Sequence, residues 1–187
     1  MKIYFTGSIA AKQKYLPLYE KIISYLKSKK HDVIADHIMK SSEESVRLAS
    51  REDRLSFHNQ IEKWIKSCDF MIAETSFPSI SVGYEISFAL RMGKPVLILY
   101  SEGDPPSLLA YHVDERVHCE KYNANNLQVI INDFMQFVEG KNDTRFTFFL
   151  SSDLNHYLEI EARKKRIPKS VYLRDLIVKD RDQNPDA

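Results

Sequence analysis

The stretch from Thr75 to Glu85 combines small polar residues with a single carboxylate, and it lies between an apolar run, Phe70 to Glu74, and apolar residues at helical spacing, Val82, Ile86, Ala89 and Leu90. Pro78 and Gly83 punctuate the junction. A strand that ends in small residues and passes into a helix sets backbone N–H groups and the positive end of a dipole at the carboxyl edge of a sheet, where small anions bind. Glu85 is the candidate chemical group of this stretch. Placed in the first helical turn, it has no capping-box partner, because the position three residues earlier is Val82. It falls on the border of the apolar face, where loss of water favours the acid and the dipole favours the carboxylate. Two readings stay open: a chemically active carboxylate, and a solvated glutamate that compensates the dipole. Other groups fit the same edge. Thr6, Gly7 and Ser8 form a small-residue turn after the first apolar run, and His37 follows the second.

The elements that must position these groups alternate. Strands are expected at Ile3 to Phe5, Asp32 to Ala35, Phe70 to Glu74, Val96 to Tyr100 and Arg116 to Tyr122. Helices are expected around Leu18, Ile22, Tyr25 and Leu26, over Arg51 to Ser67, after the Thr75–Glu85 stretch, and over Asn125 to Glu139. The polar segment holding Ser41, Ser42, Glu43 and Glu44 reads as a loop or lid. This order implies an α/β fold, a flavodoxin-like parallel sheet with helices on both faces. The chain has 187 residues, 43% hydrophobic and 28% charged, enough for one such core and an appendage. Lys+Arg 27 against Asp+Glu 26 gives no basic field to draw in nucleic acid or an acidic membrane. Cys68 and Cys119 match no metal or redox spacing and read as reduced thiols of a cytoplasmic protein. No signal peptide or membrane-spanning run is recognisable, so no membrane partner is expected.

The segment Pro78 to Glu85, together with Ile3 to Ile9, resembles the nucleoside 2-deoxyribosyltransferase superfamily, in particular its branch of 2'-deoxynucleoside 5'-monophosphate N-glycosidases. Asp36 and His37, His58 and Trp64, and Ala73 to Thr75 match in the same order. The resemblance implies that Glu85 is the nucleophile at the anomeric carbon and that Tyr4 and His37 shape or hydrogen-bond the site. It further implies that Gly7, Ser8, Ile9, Ser79 and Gly83 contact a nucleoside or nucleotide, and that neither cofactor nor metal is needed. Three departures accompany it. Where the family has an acidic residue three positions before the tryptophan, this chain has Ile61. Leu109 replaces a phosphate-binding serine, and Ala10, Ala11, Lys12 and Gln13 replace a basic, glycine-rich continuation of the first turn. A free nucleoside, a modified nucleotide and a 5'-monophosphate all remain open as ligands, as does a vestigial site.

The domain limits expected from sequence are 1–139 for this unit, 140–144 for a linker, 145–180 for a second unit and 181–187 for a tail. The second unit reads as a strand from Arg145 to Leu150, a helix opened by Ser152 and Asp153, and a helix capped by Ser170. It resembles a ribbon-helix-helix domain, which implies a homodimer or higher homo-oligomer, since so small a unit cannot bury its apolar face alone. In such domains the outward strand side chains read DNA. Here Arg145 and Thr147 would face the bases, and Lys169 and Ser170 would hold a phosphate. Two functions follow: an N-glycosidase or deoxyribosyltransferase-like enzyme, and a nucleotide-sensing regulator that binds DNA.

Overall fold

A computed structural model of the chain describes residues 1–106, 114–140, 150–165 and 169–184. Two compact units divide it, Met1–Asp143 and Thr144–Ala187.

The first unit holds five parallel strands, β1 (Lys2–Gly7), β2 (Asp32–Ile34), β3 (Phe70–Glu74), β4 (Val96–Tyr100) and β5 (Val117–Lys121), in the order β2-β1-β3-β4-β5. This is the flavodoxin-like order expected from the alternation of elements, and it reverses direction between β1 and β3. β3 and β4 occupy the expected bounds because both are short, almost wholly apolar runs. All of β3 is buried, as a strand covered on two faces requires.

Alternation along the strands sorts the core into two layers. Ile3, Phe5, Phe70, Ile72, Leu97 and Leu99 face α1 (Lys12–Ser28) and α6 (Leu127–Val138). Tyr4, Met71, Ala73, Val96 and Ile98 face α4 (Arg51–Ser67) and α5 (Ile80–Arg91). Register sets Gly7 of β1 opposite Glu74 of β3, so the ends of both strands meet at the switch point.

Two short helices correct the loop expected after β2: α2 (Asp36–Lys40) and α3 (Glu43–Leu48). Ser42 and Ser45 cap α3 reciprocally, each side chain accepting from the other's backbone N–H at 3.1 and 2.9 Å. This is a capping box with serine in the place of the usual glutamate. Lys12 Nζ donates to the carbonyls of Met39 and Ser41 at 2.6 and 2.8 Å, tying the end of α2 to α1.

In the second unit, α7 (Ser152–Lys165) and α8 (Lys169–Gln183) bury Leu158, Ala162 and Tyr172 between them. Helix α8 begins at Lys169, one residue before the Ser170 taken from sequence as its cap, and continues to Gln183, within the stretch taken from sequence as a tail. The strand expected from Arg145 to Leu150 falls, but for Leu150, outside the described residues, as do Arg145 and Thr147 themselves. Among the described residues, no helix is long and apolar enough to cross a membrane.

Candidate functional site

A cleft of about 700 Å³ opens in the first unit where β1 ends, and it is walled by α2, α3, α4 and the start of α5. It lies at the carboxyl edge of the sheet beside the switch point, the usual position of a ligand site in an open parallel sheet.

Glu85 lies in this cleft and is 5% exposed. Helix α5 begins at Ile80, capped by Ser79, whose Oγ accepts from Val82 N at 3.5 Å. Glu85 is therefore in the second turn, not the first as expected, and is turned onto the buried face. Both facts remove the reading of a solvated dipole-compensating glutamate. Tyr4, from β1, donates its hydroxyl to Glu85 Oε2 at 3.0 Å, and both groups are buried. Burial raises the carboxyl above its ordinary range, and the Thr6 and Tyr4 hydroxyls oppose the rise. Thr6 Oγ1 lies close enough to favour the charge without closing a well-formed hydrogen bond, and it has no other partner. The phenol of Tyr4 is held far above its usual range, first by burial and then by the Glu85 charge, so it remains a donor.

His37 also lines the cleft, carried there by α2, and is 5% exposed. Its ring stacks on Tyr4 with centroids 4.9 Å apart and planes 14° apart, and it leans on Trp64 at 5.2 Å. Neither ring nitrogen has a hydrogen-bond partner among the described residues. Burial lowers its pKa to about 4, leaving it neutral at physiological pH. An imidazole buried with both nitrogens bare is costly in a closed protein and is accounted for when a ligand supplies the partners.

Of the residues that the resemblance assigns to the substrate, Gly7, Ser8, Ile9 and Ser79 line the cleft and Gly83 does not. Gly7 has a packing reason for its size. A Cβ there would stand 2.7 Å from Tyr19 Cζ, so the ring from α1 already fills the space that the sequence suggested for a ligand. Ile61 lines the wall and offers only hydrocarbon. The basic residues after the first turn are engaged elsewhere, Lys12 with the end of α2 and Lys14 with Glu102. Positive charge reaches the cleft instead from Arg47 and Arg54, which the sequence reading missed. Arg54 is braced by the carbonyls of Arg47 and Ala49 at 2.8 and 3.1 Å. The serine capping box that makes α3 helical was the available signal for this wall. Leu109, the second departure in a phosphate loop, lies outside the described residues.

In the second unit, Lys169 Nζ donates to Asn155 Oδ1 at 3.3 Å.

Comparison with known proteins bears on the first unit. A family model described as nucleoside 2-deoxyribosyltransferase matches residues 3–140. A Methanococcoides burtonii protein provisionally named 2'-deoxynucleoside 5'-phosphate N-hydrolase 1 is 33% identical over 100 residues, covering 54% of this chain and 80% of the relative. The 5-hydroxymethyl-dUMP N-hydrolase of Rattus norvegicus is 32% identical over 98 residues, or 52% of this chain and 60% of that one. Among solved structures, the CMP N-glycosidase of Clostridium botulinum superposes with a TM-score of 0.50 at 22% identity, covering 72% of this chain and 99% of the other, a likeness of fold.

Proposed function

Because the chain belongs to the nucleoside 2-deoxyribosyltransferase family, we propose that it cleaves the N-glycosidic bond of a nucleoside or nucleotide, with Glu85 as the nucleophile. The observation that carries this reading is a carboxylate buried in a cleft at the switch point, with the Tyr4 hydroxyl 3.0 Å from Oε2. That bond fixes the carboxylate and leaves Oε1 to attack C1'. The base departs with the bonding electron pair, a glycosyl ester forms on Glu85, and water or a second base resolves it with retained configuration. Burial favours the step, since a desolvated charge is exchanged for a neutral ester while the Tyr4 donor keeps a fraction of the acid ionised.

The neutral His37 offers one donor and one acceptor to the substrate. Deoxynucleoside 5'-phosphates are the first substrates to try, because the names of both relatives specify them. Arg47 and Arg54 supply fixed positive charge for such an anion. The regulator alternative draws no support from the family match, which ends at residue 140.

Release of free base from a panel of ribo- and deoxynucleosides and their 5'-phosphates, wild type beside Glu85→Ala, tests the reading. We expect the variant to lose activity by on the order of 10³-fold or more. Undiminished release by Glu85→Ala sinks the assignment.

A further inference from the structure

An N-glycosidic bond breaks with its electron pair on the base, and a proton delivered to the base as it leaves lowers the barrier. Such acid catalysis contributes about 10²–10⁴-fold. Given the glycosidase reading above, on which this inference rests, some side chain of the cleft must hold that proton. Glu85 is committed to C1'. His37 is buried and neutral, with no carboxylate bonded to its ring to stabilise a cation. Ile61 has no proton to give, and Glu43, the other carboxylate of the lining, is an exposed residue of α3 held by no second helix among the described residues.

One turn before Ile61 on α4, His58 lines the same cleft. Its Nε2 stands 3.4 Å from Glu62 Oε1 and 3.4 Å from the Tyr84 hydroxyl, and Tyr84 donates to the same Glu62 oxygen at 3.1 Å. The His58 and Tyr84 rings lie 5.3 Å apart. We propose that His58, oriented by Glu62 and Tyr84, protonates the departing base and then activates the water that resolves the glycosyl ester.

The i,i+4 spacing on α4 presents Glu62 to His58 on one helix face. An ion pair of this kind is common on exposed helices, but here Tyr84 closes it from a second helix, and Tyr84 immediately precedes the nucleophile in α5. Burial works against ionisation of Glu62, yet bonds from Tyr84 and from Lys66, at 3.3 Å on its other oxygen, outweigh that and hold it below the ordinary carboxylate range. Arg91 is the remaining charge near Tyr84. The Glu62 carboxylate and the Tyr84 hydroxyl beside Nε2 orient the ring and leave Nδ1 for the substrate.

In the first step Glu85 Oε1 bonds to C1', the C1'–N bond breaks, and its electron pair on the base takes the proton from Nδ1. In the second, neutral Nδ1 accepts a proton from water as the water oxygen bonds to C1', and the ester electron pair returns to Glu85. His58 ends as it began, protonated, and no further reactant is consumed. Glu62 and Tyr84 are positioning residues that touch no reacting atom.

The test compares two leaving groups on one sugar: the natural base, which needs a proton to depart, and 4-nitrophenolate, which does not. We expect His58→Gln and His58→Asn to slow release of the natural base by about 10²-fold or more while changing nitrophenolate release less than about threefold, within the spread expected when no acid is required. Glu62→Gln should show the same split at about tenfold, as a partner of the acid rather than the acid itself. Equal losses on both substrates in the two His58 variants, or no loss on either, overturn the proposal. If the wild type releases nitrophenolate but no natural base, the Glu85 reading stands and the His58 role falls. If it releases neither, both fall.

Discussion

Glu85 carries a cost that the fold accepts, and that cost is measurable. Its carboxyl is raised by burial, so between the ordinary carboxylate range and the raised folded value the native state keeps a proton that the unfolded chain has lost. The associated stability is fully present below the ordinary range and is lost as pH rises through the folded value. Glu85→Gln has no charge to bury, so its denaturation midpoint should exceed that of the wild type at neutral pH, and the gap should close on acidification. Glu74, also buried and raised, titrates in the same direction, but it is common to both proteins and drops out of the comparison. Under the proposed function, in which Glu85 attacks as the anion, activity has the opposite sign: the rate should climb with pH through the raised value. Tyr4→Phe removes a bond that favours the anion, so it should move this acid limb to higher pH and cost roughly 10- to 100-fold in kcat, the worth of a hydrogen bond to a charged group. A limb that stays in place would mean that Tyr4 does not tune Glu85. His37 offers a cleaner separation of stability from function. Phenylalanine preserves the stacking on Tyr4 and removes two unpartnered nitrogens, so His37→Phe should gain about 1–3 kcal/mol in a urea titration while kcat/KM falls.

At the scale of elements, Gly7 shows how a small residue can be read for the wrong reason. The sequence puts it in a turn after a strand ending at Phe5, whereas β1 runs on through Gly7 and its small size serves Tyr19 from α1, a partner too distant in sequence to leave a local mark. Gly7→Ala should therefore destabilise the fold by about 1–3 kcal/mol through overpacking. Tyr19→Leu should recover much of that loss when combined with it, and a double-mutant cycle that finds simple additivity would refute the packing account. The same contrast runs through the site. Strands β3 and β4 and helix α4 took their expected bounds because apolar runs or a clear helical face announce them. Helices α2 and α3 were hidden because they are short and mostly polar, and serine capping rather than hydrophobic periodicity starts α3. Arg47 was hidden with them. Glu85 was identified, but its burial depended on where α5 begins, and Ser79 starts that helix a turn earlier than the loop-like Pro78–Gly83 stretch suggests. The pairing of His58 with Tyr84 required knowing that α4 and α5 lie side by side, which tertiary packing alone supplies.

At the scale of the whole molecule, the second unit presents apolar surface that a partner could cover. Only Leu158, Ala162 and Tyr172 are buried there among the described residues, with Leu150 and Leu173 packed partly against them. Meanwhile Leu154, Tyr157, Ile160, Leu176 and Ile177 remain exposed, more apolar surface than a short helical pair leaves open without a partner. A second copy of the chain is the partner always present, and a two-fold pairing of this unit would bury the same surface twice. Light scattering should then give twice the chain mass, and replacing Leu176 and Ile177 together by glutamate should halve it while base release by the first unit persists. A chain that is already monomeric at micromolar concentration, or a dimer indifferent to those two charges, would place the covering surface elsewhere. The separation matters for the chemistry as well. If activity falls with dimer dissociation, the cleft is incomplete in one chain, and a residue of the partner must complete it. If activity survives, the residues that wall the cleft, from Gly7 to Glu85, suffice with Tyr4 behind them.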